Sequence, residues 1–406
     1  MPLTMKENKR VMLMQEVMAD KKTVREASFE IGVSERQGFR ILADVRKHGA
    51  NGVIHGNKGR PSTQRIPDEI RSEVIRLRKG SYDKFNDRHF ADELIEAEKI
   101  KVGRESVRKI LRAAGISTTR KVKKRKHRRR RAPMERFGEM LQGDASDHDW
   151  LEGRGPRLTL VHFVDDATGY EWADFSYSEY TESYYRLIWE ILIKQGLPRM
   201  LYVDCHGVFK VNREETRYQE ENGKRPLTQF GRAMQELAIT VIYAASAQAK
   251  GRVERRGGFN QDRLVSELRK AKISSLENAR KILKKYLRKI NRKFTCKPKS
   301  GESAFTPLPE GLDLEQVLCW KEERTVANDN TISFHGRKLQ IPTSPLKSSF
   351  AKAKVAVHLC LNDSVHVWHK HDRIAYFKKL GVDPAMVPLI SPIPAVIAAH
   401  SPLLTF

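Results

Sequence analysis

The chain lacks any run approaching the roughly 18 to 20 uninterrupted apolar residues of a membrane-spanning helix, and its opening residues, MPLTMKENKR, lack the apolar core of a secretion signal. No membrane partner is expected, and the expected location is the cytoplasm. Cysteine is scarce: Cys205, Cys296, Cys319 and Cys360 are far apart, with no Cys-x-x-Cys pair. Neither a disulfide framework nor a structural zinc site is indicated, and reduced thiols are expected. Acid is also short, with 50 Asp and Glu against 76 Lys and Arg and a formal net charge of +26. Yet 39% of the 406 residues are apolar, which excludes a disordered polycation. At roughly 150 residues per domain the length suggests two to four domains.

The charge is unevenly placed. Residues 1–136 hold 36 basic and 18 acidic side chains, residues 137–256 hold 15 and 19, and residues 257–406 hold 25 and 13. An acidic middle between basic arms suggests metal-binding carboxylates between segments that hold a polyanion, for which nucleic acid is the natural candidate. The extreme is STTRKVKKRKHRRRR at 117–131, with ten Lys or Arg in fifteen residues. Such a block repels itself, and it reads as a linker that grips phosphates through residues such as Arg128 and Arg129.

Helical spacing covers 6–19, with Val11, Met12, Met14 and Met18, and 23–31. Gly32-Val33-Ser34 then supplies a turn and a cap for a helix over 35–48 with Phe39, Leu42 and Val45 as its buried stripe. This is a helix-turn-helix pattern over 1–50 that leaves Arg36, Gln37 and Arg40 to face a major groove. Residues 51–66 read as a linker, in which Lys58 and Arg60 form a candidate minor-groove arm. Helices over 67–79, 87–99 and 104–114 suggest a second helix-turn-helix domain at 67–116, its last helix presenting Arg104, Arg108 and Lys109. A basic linker at 117–136 follows.

From residue 137 strands and helices alternate. A strand over 136–143 ends in Asp144, strands at 157–164 and 170–175 flank a turn at 165–169, and a strand at 199–203 delivers Asp204. A long helix from 248 carries Glu254 in its first turns, and Gly257-Gly258 behind it is expected to kink that helix, at roughly 1 kcal/mol per interior glycine. The order implies a mixed α/β sheet. Asp144, Asp204 and Glu254 fall at element ends where side chains can converge, and three converging carboxylates need cations. Oxygen donors suit Mg²⁺ or Mn²⁺, and a pair of ions can activate an attacking oxygen and stabilise a leaving one in a phosphodiester. Lys250, Arg252 and Arg255 surround Glu254 and are expected on DNA phosphates. Asp147, Asp149, Asp165 and Asp166 read as turn or supporting acids.

Five blocks, QGDASDHDWLEGRGP, FVDDATGY, LYVDCHGVF, TQFGRAMQELAI and SAQAKGRVERRGGFNQDRLVSELR, together resemble bacterial insertion-sequence transposases of the Asp-Asp-Glu integrase-like superfamily, most closely the ISNCY type. Here Ala247 stands where such relatives carry proline. The resemblance implies a ribonuclease H-like catalytic core at 137–294, with Asp144, Asp204 and Glu254 holding two metal ions. It implies binding of the element's terminal inverted repeats and target DNA by a homo-oligomer at the nucleoid, with 3′-end cleavage and strand transfer and no small-molecule cofactor. A metal-dependent nuclease without joining is one competing reading, against which two sequence-reading domains argue. A regulator with a decayed core is another, and no acid is lost. Short strands at 320–380 suggest a small SH3-like β-barrel, in which His366, His369 and His371 do not indicate a metal site. An apolar tail at 381–406 completes a multidomain chain with an all-α N-terminus, an α/β core and a β-barrel.

Overall fold

The computed structural model describes residues 3–59, 65–117, 131–211, 226–244, 250–343 and 348–379. The chain divides into two compact units, Met1–Glu73 and Val74–Phe406. No helix among the described residues is long and apolar enough to cross a membrane.

The first unit is built on α1 (Met5–Met18), α2 (Val24–Ile31) and α3 (Glu35–His48). Each begins on a hydroxyl: Thr4, Thr23 and Ser34 accept from the backbone N–H three residues on, satisfying donors that the helix itself leaves open. Gly32 turns the chain between α2 and α3 at a φ of 76°, which glycine adopts without strain. A Cβ on Gly38 would stand 1.9 Å from Ser28 Oγ, so glycine is what lets α3 cross α2 closely. The buried stripes differ from those read by spacing. Met12, Met18 and Phe39 are 57%, 41% and 54% exposed, and the core is Val11, Leu13, Met14, Val17, Ile41, Leu42 and Val45. Leu13 and Val17, one turn apart, set the inward face of α1 and turn two methionines outward.

In the second unit, α4 (Asp68–Lys79, which begins in the first), α5 (Asp87–Glu96) and α6 (Arg104–Ala113) match the expected helices closely. They close around Val74, Leu77, Tyr82, Phe85, Phe90, Leu94, Val107 and Leu111.

Five strands form the central sheet: β1 (Met140–His148), β2 (Leu158–Asp165), β3 (Glu171–Ser176), β4 (Met200–Val203) and β5 (Thr240–Tyr243), in the order β3-β2-β1-β4-β5. The first three are an antiparallel meander, while β4 and β5 run parallel to β1. This is the ribonuclease H-like arrangement that the resemblance implies. Strand β1 runs past Asp144 to His148 because β2 pairs with it along that whole length, down to His148 with Leu158. Asp144 is therefore within a strand, not at its end. Both faces of the sheet are covered, so β2 alternates between two cores and is buried throughout. One core joins Val161, Phe163, Leu201 and Val203 to α7 (Thr181–Gln195) and α8 (Gln229–Glu236). The other joins Leu158, Leu160 and Phe175 to α9 (Gly251–Lys270) and α10 (Leu276–Phe294).

The acidic face of α5 docks by charge on the opposite flank of α9 and α10. Asp92 pairs with Arg263 at 2.9 Å and Lys293 at 2.7 Å, Glu93 with Lys270 at 2.9 Å and with Lys289, and His89 with Glu267 at 2.8 Å. Half-buried lysines outweigh the desolvation of Asp92 and Glu93 and hold both carboxyls below their usual pKa.

Beyond α11 (Leu314–Val317), the C-terminal region is an open four-stranded sheet, not a closed barrel. Strands β6 (Trp320–Thr325), β9 (Lys354–Leu359), β10 (Val365–His369) and β11 (Asp372–Phe377) lie in the order β11-β10-β9-β6, beside a hairpin of β7 (Thr331–Phe334) and β8 (Arg337–Gln340). Ile332, Phe334 and Leu339 of the hairpin share a core with Val355, Val357, Val365 and Phe377 of the sheet. Among the described residues β6 and β11 are the edges of this sheet, and the hairpin shares its core without pairing into a closed ring. Strand β6, WKEERT, was not legible because an edge strand rich in charge carries no apolar alternation.

Candidate active site

The parallel ladder between β1 and β4 pairs Met140 with Met200, Leu141 with Leu201 and Gln142 with Tyr202, an offset of 60 residues. The same offset brings Asp144 level with Asp204, one residue past the carboxyl end of β4, on strands roughly 4.8 Å apart. Both side chains reach one cation. Lys250 Nζ donates to Asp144 Oδ1 and Asp204 Oδ2, each at 2.9 Å. Lys250 caps the start of α9 and is only 4% exposed. Burial works against its charge, but the two carboxylates prevail and hold its pKa above the ordinary lysine value. Burial likewise pushes the Asp204 carboxyl up, and Lys250 together with the His206 N–H, 3.0 Å from Oδ1, more than reverses this.

A further acid, not read from the sequence, lines the same place. Glu179, between β3 and α7, accepts from the Tyr184 hydroxyl at 2.8 Å and lies 3.3 Å from His206 Nδ1. Burial, reinforced by the charges of Asp204 and Asp144, raises its pKa. Nothing in the local sequence marks Glu179, because it reaches the pocket from a turn between elements.

Glu254 is half-buried in the first turn of α9. Among the described residues the oxygens of Asp144, Asp204 and Glu254 do not all gather within 4.8 Å of one another. The helix that carries Glu254 is nevertheless anchored beside the pair, since the Val253 N–H donates to Gln142 Oε1 at 3.3 Å, two residues before Asp144 on β1. The helix also runs unbroken through Gly257-Gly258 for twenty residues, so the expected kink is absent. Packing holds it. Asn260 Nδ2 donates to the buried Glu171 carboxylate at 2.6 Å and accepts from the Tyr286 hydroxyl at 3.0 Å, while His162 Nδ1 lies 2.8 Å from the same carboxylate.

Asp165 and Asp166 are fully buried and committed elsewhere. Asp165 accepts from the Gly138 N–H at 2.9 Å and from the Thr168 N–H and hydroxyl at 2.8 and 2.7 Å. Asp166 accepts from the Met134 N–H at 2.8 Å and Gln142 Nε2 at 2.7 Å and pairs with Arg131 and, at 2.8 Å, with Arg252. Arg252, expected on phosphate, is thus tied to Asp166, whereas Arg255 is exposed. Asp147 and Asp149 are exposed at the far end of β1.

Of the other basic candidates, Arg36, Gln37 and Arg40 are exposed on α3, and Arg104, Arg108 and Lys109 on α6, with Arg108 paired to Glu105 at 2.9 Å. Lys58 is not a free arm. It pairs with Glu7 at 2.6 Å and draws the Glu7 carboxyl down to about 2. Arg60, Arg128 and Arg129 lie outside the described residues.

Oxygen donors from Asp144 and Asp204, aimed at a single cation position now filled by an ammonium, are the donor set a hard divalent ion requires.

A family model of the leucine-zipper of insertion element IS481 matches residues 4–75. A protein of Sinorhizobium fredii (strain NBRC 101917 / NGR234), whose name assigns it to the transposases as y4bF, is 32% identical over 89% of this chain and 79% of its own length. The transposase for insertion sequence IS1202 of Streptococcus pneumoniae is 31% identical over 93% of this chain and 87% of its own. Among solved structures, the HTLV-2 integrase catalytic core domain in complex with magnesium matches 39% of this chain and 88% of that one, with 17% identity and a TM-score of 0.29. With two such relatives aligned along most of its length, the chain belongs to the insertion-sequence transposases.

Proposed function

We propose that this transposase cleaves the 3′ ends of its element and joins them to target DNA at a site formed by Asp144, Asp204 and Glu254. The observation that carries the reading is the convergence of Asp144 and Asp204 on one buried cation at the carboxyl end of a parallel strand pair. When bound by these acids, two Mg²⁺ or Mn²⁺ ions would polarise the attacking and leaving oxygens of the phosphodiester. Asp144 and Asp204 supply the fixed oxygens, and Glu254 closes on them from the first turn of α9. Lys250 offsets one of the two negative charges before loading, and its ammonium, once displaced, is available to a DNA phosphate. Tyr184 and His206 hold Glu179 at the rim.

In this reading, Arg36, Gln37 and Arg40 of the first helical unit, and Arg104, Arg108 and Lys109 of the second helical segment, read the element ends, with Arg255 and the 117–131 run on backbone phosphates. Two ends must be held together for joining, which calls for a homo-oligomer on DNA. The test is strand transfer of a labelled element end in Mg²⁺. Asp204→Asn is expected to abolish joining while end binding persists, and retained joining removes Asp204 from the site. Binding should weaken steeply with salt, because phosphate contacts release counterions.

A further inference from the structure

Away from the acid pair, two groups of ligand-type side chains come together among the described residues. In the first, His89, Glu93 and Glu267, the charges are already spent. Glu93 faces Lys270 and Lys289, and Glu267 faces His89.

The second gathers Glu315, Cys360 and His366, with donor atoms all within 4.8 Å of one another. Cys319 is the neighbouring sulfur, since it lines the same cavity as Cys360, and both thiols are reduced. The four come from three segments. Glu315 is in α11, Cys319 follows that helix, Cys360 follows β9, and His366 is in β10. Cys319, Cys360 and His366 are 1%, 3% and 5% exposed. The two thiols and the Glu315 carboxylate have only weak or neutral partners. Cys319 Sγ donates to the Gln316 carbonyl at 3.1 Å and Cys360 Sγ to that of Glu315 at 3.6 Å, while Glu315 accepts from Asn362 and, at 3.4 Å, from Ser364 Oγ. No lysine or arginine is recorded against the Glu315 carboxylate among the described residues.

We propose that Cys319, Cys360, His366 and Glu315 form a zinc site that ties the C-terminal sheet to the catalytic core. Two sulfurs, an imidazole and a carboxylate are the donors of a tetrahedral Zn²⁺ centre and are ill suited to Mg²⁺, so the chain sorts two metals by donor softness. Bond lengths of about 2.3 Å to sulfur and about 2.0 Å to nitrogen and oxygen ask Glu315, Cys360 and His366 to draw in by about 1 Å, with Cys319 closing on them from the shared cavity. Binding releases two thiol protons, and Zn²⁺ with two thiolates and one carboxylate keeps a single negative charge. The surroundings meet that charge, since Arg232 donates to the Cys319 carbonyl and acts on its thiol together with Lys321.

His366 Nε2 lies 3.2 Å from Ser364 Oγ, on the side of Glu315, so Nε2 is the ligating nitrogen. The ring proton then sits on Nδ1, and Arg373, now 3.3 Å from Nδ1, turns toward the Tyr376 ring, whose centre is already 5.7 Å away. An entry path exists. A cavity of about 220 Å³ opens on both thiols between Tyr185, Trp320 and Leu361. Leu314, Val317 and Leu318, beside Glu315 and Cys319, pack in the core of the catalytic sheet. The ion would therefore bridge that core and the strands β9 and β10. None of this depends on DNA joining.

The test uses the full chain purified under reducing conditions, loaded with Zn²⁺ and dialysed, with bound metal measured by mass spectrometry and Co²⁺ as a spectroscopic probe. The expected result is one zinc per chain and a thiolate-to-cobalt absorption band. Both disappear in Cys319→Ser and Cys360→Ser and persist in Cys205→Ser and Cys296→Ser. His366→Asn is expected to keep the band but shift it, which a variant that had merely unfolded could not do. Absence of retained zinc in the parent overturns the proposal. So does equal retention in the Cys319→Ser/Cys360→Ser double variant, or a parent that carries a Cys319–Cys360 disulfide in place of metal.

Discussion

Asp144 with Asp204, and Asp165 with Asp166, are both acid pairs on one sheet, and they are neutralised in opposite ways. Asp165 and Asp166 are surrounded by backbone N–H groups, one hydroxyl, an amide and two arginines, all on the spot and all satisfied. They hold the turn between β2 and β3 and the entry to β1. Asp144 and Asp204 instead share one long, flexible side chain arriving from a helix start, and Asp204 remains 40% exposed. A local network of fixed donors makes a structural acid, whereas a single replaceable cation makes an acid that can exchange its partner.

The comparison is broken most severely by Asp144→Asn. Joining is expected to fall to background, yet urea unfolding of the metal-free protein should shift by no more than about 1 kcal/mol because Lys250 keeps Asp204. The reverse is expected of Asp166→Ala, which strands Gln142 and two arginines and should lose about 3 kcal/mol of stability. A loss under about 1 kcal/mol would mean that the buried acid is not structural.

Lys250→Met leaves the two acids facing each other without a cation. After discounting for the exposure of Asp204, about 1–2 kcal/mol should be lost without metal and regained with Mg²⁺, and a denaturation series with and without Mg²⁺ reads both. Gly258→Ala should raise stability by about 1 kcal/mol, because α9 is intact there and a Cβ meets nothing within 4 Å.

The subtlest test is carboxyl titration by NMR in the metal-free protein. Burial lifts Asp165 above the ordinary 3.8. The folded state then holds that proton more tightly than the unfolded chain, and stability falls as pH rises past 3.8. Asp204 lies below 3.8 on balance, so its contribution is present above that value and lost as pH falls. Midpoints displaced in the same direction would erase the distinction between the pairs.

Much was legible beforehand. The six N-terminal helices and the order of strands and helices in the core could be read because periodicity, caps and turn residues act locally, whereas Asp144 and Asp204 stood out through the motif blocks that carry them. The open C-terminal sheet was not legible, since closure depends on how many strands can reach one another. The unbroken run of α9 through two glycines was hidden too, because Asn260, Glu171 and Tyr286 hold it from other elements.

By itself the sequence determined where the N-terminal and core helices and the core strands lie and which charges the chain carries, for these follow from residue type and short spacing, while its motif blocks carried the resemblance to a family. Only the tertiary structure decided that Lys250 and not Glu254 stands between Asp144 and Asp204, that Arg252 and Lys58 are spent on Asp166 and Glu7, and that Cys319 and Cys360 meet. Such pairings are chosen by the packing of segments 41 to 106 residues apart, where burial makes each unpaired charge costly and the nearest available partner wins.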